Sequence, residues 1–227
     1  MWTGAAGWAR AIRLLPDGCV DLVWTGEALL VHGPSDTVSR GNLRAGQVNT
    51  GIRIQAGAGG ALLGMPLLHL RHRTVHLKDV LASQAHMVER QLKAARSDQE
   101  RRTILEDFVA MRAHLLSPRN SVCQSAARYL RCGTLQGLAS DLKLGEREIR
   151  RLFAEEVGLS PKALQRVLRF RKVLRMLPRL AQRQETAAAV AAEAGYADQA
   201  HMSRECRRLA GETPNSLARR FDDRLPL

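Results

Sequence analysis

The chain is 227 residues long, enough for two small domains with a core each. Lys and Arg number 35 against 22 Asp and Glu, a formal net charge of +13, so the surface carries a positive field suited to a polyanion, nucleic acid first and an anionic membrane surface second. No run approaches the ~18 apolar residues of a membrane span, the start "MWTGAAGWARAIRLLPDG" lacks the continuous apolar segment of a leader, and the four cysteines (Cys19, Cys123, Cys132, Cys206) contain no C-x-x-C pair, which sets aside a disulfide framework and a zinc knuckle.

These features lead us to expect a cytoplasmic protein, with no membrane partner, whose thiols are reduced and mostly buried. The charge is unevenly placed. Residues 118–227 hold 21 basic and 12 acidic side chains, net +9, whereas residues 1–117 hold 14 and 10, net +4. The polyanion site is therefore expected in the C-terminal half.

From Ile12 to Ile54 the pattern is short and strand-like. "CVDLVW" (Cys19–Trp24) and "ALLVH" (Ala28–His32) flank Thr25-Gly26-Glu27 as a hairpin, Gly33-Pro34 breaks the chain, and "GIRIQ" (Gly51–Gln55) alternates like a further strand. The run "GAGGALLG" (Gly57–Gly64) follows. It lacks both the G-x-G-x-x-G spacing and the Lys-Ser/Thr of a P-loop, having Met65-Pro66 instead, so it predicts a plain turn and helix start. Leu77–Leu116 reads as helical, with Ile104, Leu105, Phe108, Met111 and Leu115 on one face. "SPRNS" (Ser117–Ser121) is a polar, proline-containing break and the expected boundary between residues 1–117 and 118–227.

Beyond that break one unit occurs twice. "LASDLKLGEREIRRLFAEEVGLSP" (Leu138–Pro161) matches "VAAEAGYADQAHMSRECRRLAGETP" (Val190–Pro214), with one extra residue near the turn of the second copy. Each reads as a short helix, a tight turn and a second helix, ended by an N-cap with proline at the next position: a helix-turn-helix. Periodicity buries Ile149, Leu152 and Phe153 in the first copy and turns Arg147, Arg150 and Arg151 outward. In the second it buries Met202, Cys206 and Leu209 and turns Gln199, Ala200, Ser203, Arg204 and Arg207 outward. Arginine can grip a guanine edge or a phosphate and glutamine an adenine edge, so both faces suit a major groove. Between the copies, Ser160 caps and Pro161 starts a long helix with Leu164, Val167, Leu168, Val173, Leu174 and Leu177 along one side, and Pro178 forbids much continuation. Its Arg166, Arg169, Arg171 and Lys172 are expected to be solvated or phosphate-facing.

On the stretches "GYADQAHMSRECRRLAGETP", "LASDLKLGEREIRRLF" with "GLSPK", and "PKALQRVLRFRKVLRML", residues 120 to 221 resemble the double helix-turn-helix domain of bacterial AraC/XylS-type transcription regulators. "LLPDGCVDLVW", "GPSDT", "GALLGMP" and "RTVHLKDV" resemble the N-terminal domain of a subset of actinobacterial AraC-like regulators. The resemblance implies an α+β protein: a small β-rich and helical N-terminal domain, regulatory or dimerising, then an all-α domain of about seven helices in which the long helix holds two recognition units on one side of double-stranded DNA. RNA polymerase, a small-molecule effector and a second copy of the chain stay open as further partners. The sequence departs from the family at Met202 and Cys206, where phenylalanines are usual, which predicts a thinner core in the second copy; Tyr196 keeps a position where the family takes Phe or Tyr.

Two other classes compete. Some alkyl-repair enzymes fuse such a domain to a cysteine acceptor on zinc, and Cys19 in "PDGCVDL" is the candidate nucleophile, with His32, His69, His72 and His76 as candidate nitrogen ligands. Only one cysteine lies in the first 117 residues, however, and a structural zinc-thiolate site wants about four clustered ligands. No G-x-S-x-G or H-E-x-x-H is present. A nonspecific architectural DNA protein would explain the charge but not two shaped units. The expectation is a regulator with no catalytic residue, cofactor or metal.

Overall fold

The computed structural model describes residues 1–5, 10–131 and 133–222; Cys132 lies outside them. The N-terminal part holds strands β1 (Trp2–Ala5), β2 (Arg10–Leu14), β3 (Val20–Trp24), β4 (Leu29–His32), β5 (Ser39–Leu43), β6 (Val48–Ile54) and β7 (Thr74–His76). Five of them form an antiparallel sheet in the order β1-β6-β3-β4-β7, and β2 pairs with β5 as a separate ribbon. The expected hairpin is β3–β4, with Val23 opposite Leu30. On β4, Leu29 and Val31 face inward while Leu30 and His32 are half-buried, the period-2 alternation of a sheet with one covered face. Strands β1, β2, β5 and β7 add to the three read from sequence.

The glycine run becomes α1 (Gly59–Leu63), ended by Gly64 in the left-handed region, so the turn-and-helix reading holds. After β7, α2 (Ala82–Ala94) and α3 (Asp98–Arg112) form a helical pair, and α3 lies against β6. The buried stripe of α3 differs from the expected one. Leu105 and Phe108 are buried, but Met111 and Leu115 are 45% and 42% exposed, and Arg112 turns inward instead. Its guanidinium donates to Leu62 O and Gln84 Oε1. The α-helix ends at Arg112 and a 3-10 turn covers Ala113–Leu115, so the helical phase that would have carried Leu115 inward is lost. The "SPRNS" break is itself a helix start: Ser117 is the N-cap, Pro118 the first residue, and Asn120 Oδ1 accepts from Ser117 N at 3.0 Å.

The helix so begun, α4 (Pro118–Tyr129), leads into α5 (Leu135–Leu142), α6 (Glu146–Glu156), α7 (Pro161–Ala181), α8 (Ala187–Ala194), α9 (Gln199–Ala210) and α10 (Pro214–Asp222). Pro178 sits inside α7, which runs only three residues further. Two hydrophobic clusters result. One gathers Leu22, Trp24, Leu29, Val31, Leu105 and Phe108 between the sheet and α2–α3. The other runs from Cys123 to Ala218 around α7, whose Leu164, Val167, Phe170 and Val173 have no exposure. Full burial of each such side chain stabilises by roughly 1.5–3 kcal/mol, which is why α7 is the axis on which both repeated units are mounted.

Candidate nucleic-acid interface

The two copies follow one local plan. α5 starts at Thr134, whose hydroxyl accepts from Gly137 N at 3.1 Å, and α8 at Thr186, whose hydroxyl accepts from Ala189 N at 3.2 Å. Each closes on a left-handed residue, Lys143 (φ +50°) and Gly195 (φ +85°). The next backbone N–H then turns back in the same way, Leu144 N to Ala139 O and Tyr196 N to Ala191 O. The inserted residue of the second copy is Ala197, which lengthens its turn by one before Asp198 caps α9. Both copies end alike: Ser160 Oγ accepts from Ala163 N, Thr213 Oγ1 from Ser216 N, each at 3.2 Å.

The second helix of each copy is anchored by its apolar stripe. Ile149, Leu152 and Phe153 of α6 are buried, as are Met202, Cys206 and Leu209 of α9. The core is closed over the two residues that replace aromatics, since neither Met202 nor Cys206 has any exposure. Away from these stripes Arg147, Arg150 and Arg151 are exposed on α6, and Gln199, Ala200, Arg204 and Arg207 on α9, with Ser203 half-buried. Arg150 Nη2 lies 2.8 Å from Glu146 one turn earlier, a surface pair of little net worth that an incoming phosphate or base can replace. Among the described residues Arg147, Arg151, Arg204 and Arg207 make no ion pair.

Two groups that fix this face, Asp198 and His201, were not singled out in the sequence. Asp198 Oδ1 accepts from His201 N at 2.6 Å and holds the first turn of α9. The His201 ring stands edge-on to Tyr196, centroids 5.3 Å apart, tying the turn to the helix. The signal for Asp198, an acid just before a periodic run, was present; the ring pairing left none. Arg166 differs from expectation: it lies 3.8 Å from Asp36 of the N-terminal part and 3.7 Å from Glu205 of α9, because α7 passes between those two carboxylates. Arg169, Arg171 and Lys172 are half-buried.

Cys19 is buried, and its thiol is pushed up to about 12 by that burial, with Asp17 adding to the effect. His72 lies 2.9 Å from Ser35 Oγ and 3.1 Å from Asp36, and His32 bonds Thr74 Oγ1 at 2.9 Å, so both are engaged within the protein. Among the described residues no three His, Cys, Asp or Glu side chains gather as a metal site would need, and no helix is long and apolar enough to cross a membrane.

The β-rich N-terminal part is thus followed by two matched helix-turn-helix units mounted on one long helix. Residues 138–220 match the helix-turn-helix domain family, and residues 1–76 match a domain of unknown function, DUF6597. Residues 138–220 are thus a helix-turn-helix domain, which supports a DNA-binding transcriptional regulator. Among solved structures the chain is similar to ToxT from Vibrio cholerae in its P21 crystal form, at 8% identity and a TM-score of 0.46 over 92% of this chain and 97% of that one. It is similar also to ToxT from Vibrio cholerae O395 (8%, 0.43, 94% and 89%) and to unsaturated fatty acid bound ToxT from strain SCE256 (8%, 0.41, 92% and 94%). No curated protein matches significantly.

Proposed function

We propose that α6 and α9 are two recognition helices that read successive major-groove segments on one side of a DNA duplex, within a protein acting in the cytoplasm. The observation that carries this reading is the residue-by-residue match of the two copies, each presenting a polar outward face from an apolar anchor. Arg147, Arg150 and Arg151 have the donors for guanine edges and phosphates. Gln199 suits an adenine edge, Ala200 a thymine methyl group, and Ser203, Arg204 and Arg207 complete the second face. On this reading residues 118–227 form the DNA-binding domain and residues 1–117 a regulatory or dimerising one, through which an effector, a second copy or RNA polymerase would act.

The alkyl-repair reading gains nothing from Cys19. A methyl acceptor needs a thiolate, and burial works against one here. Position-by-position selection of duplex sites tests the regulator reading. Arg151→Ala should relax base preference in one block and Gln199→Ala in another, each by the ~1–3 kcal/mol that a good bidentate pairing to a base supplies. If both variants keep every preference and lose only uniform, salt-dependent affinity, these side chains position the protein and do not read bases.

A further inference from the structure

The N-terminal domain meets both repeated units at the same place. In the first unit Gly158 follows α6 and in the second Gly211 follows α9, both left-handed at φ +71° and +75°. A Cβ at Gly158 would stand 2.6 Å from Pro34 Cγ and 2.7 Å from Leu67 O. At the second unit the guanidinium of Arg13, on β2, donates both to Ala210 O, the last carbonyl of α9, and to Glu212. Glu212 is held in turn by Ser216 Oγ at 2.7 Å and Arg220 Nε at 3.4 Å.

The first unit has a second attachment. Ala61 N, in α1, donates to Glu156 Oε2 at the end of α6 at 3.0 Å. Beside it Gly60 lets the backbones touch: a Cβ there would lie 2.4 Å from Glu155 O. The glycine run, which lacks the spacing of a phosphate loop, is therefore a joint. Each attachment grips a C-terminal end, and in a helix-turn-helix the N-terminal residues of the recognition helix are the ones that reach the bases.

We propose that the N-terminal domain braces DNA reading: by holding the C-terminal ends of α6 and α9 it sets the distance between the two recognition helices, with Arg13 and Gly60 as positioning residues. The inference rests on the two-helix reading above. A duplex in which both blocks are engaged only at one separation is the substrate such a brace selects.

The test uses the full chain and the duplex it selects from random DNA, with the two blocks moved apart or together by one or two base pairs. Wild type should lose at least about tenfold in affinity off the best separation, since rigidly joined units cannot both engage. In Arg13→Ala, and in Gly60→Val, whose side chain must push α6 away, the loss should shrink to within about threefold while base preferences inside each block persist. Arg13→Lys, which keeps one donor, should fall between. If Gly60→Val does not fold, Arg13→Ala and Glu212→Gln carry the comparison. A peaked wild-type profile retained unchanged by these variants overturns the brace alone; a wild-type profile flat in separation overturns the two-helix reading and the brace with it.

Discussion

At position 206 a thiol stands where the first copy has the ring of Phe153, and the consequence is set by space. Cys206 has no exposure and lies among Met202, Leu209 and Tyr196, all buried. Forcing a ring into that enclosure should overpack it, so Cys206→Phe is expected to lower the denaturant midpoint by the equivalent of about 1–3 kcal/mol; a raised midpoint would show an open space. The same burial pushes the thiol of Cys206 up to about 12, with Glu205 adding to it. Cys19, Cys123 and Cys206 should therefore stay unlabelled by thiol reagents at neutral pH in native protein and label on unfolding, read by peptide mass spectrometry. Asp36 supplies a pH test. Burial raises its pKa, but the Arg71 hydrogen bond and charge, with His72 and Arg166, outweigh this and hold it below the usual value. A lowered carboxyl stabilises fully above the unfolded value of about 3.9 and stops doing so as pH falls through the folded one. Asp36→Asn should thus destabilise at neutral pH and converge with wild type in acid; a constant difference would remove Asp36 as the cause.

Among the elements, the caps were the most legible. Ser160-Pro161 and Thr213-Pro214 mark their helix starts in the sequence, and the hydroxyls make the expected bonds. Asp198 caps α9 in the same manner, and Asp198→Ala is expected to cost about 1 kcal/mol by thermal unfolding, with a weaker DNA complex because the frayed turn carries Gln199 and Ala200. The outward faces of α6 and α9 were legible too, since a helix with one apolar stripe has only one way to pack. Strand β5, "SRGNL", was not: it is polar and largely exposed, and what makes it a strand is its pairing with β2, far along the chain. The inward turn of Arg112 was hidden for the same reason, because its acceptors, Leu62 and Gln84, lie in other elements. Likewise the glycines at 57–64 announced a turn, while the backbone of α6 against which Gly60 presses is nearly a hundred residues on.

At the scale of the molecule the two clusters of buried residues bear on how far the halves depend on each other. Among the described residues Leu15 and Ala56 are the partly buried apolar side chains of the first 117 that pack onto the C-terminal cluster. Residues 118–227 alone are accordingly expected to unfold cooperatively in urea and to bind DNA, with a broader tolerance of block separation than the full chain; an unfolded fragment would contradict the division at residue 117. The central claim, that two helices enter two major-groove segments, is tested most directly by protection of guanine N7 from methylation on a duplex bound by the full chain. Two protected clusters about 34 Å apart along one face, the one facing α6 lost in Arg151→Ala and the other unchanged, is the result predicted. Protection confined to one segment, or none at all on a duplex that stays bound, would contradict it.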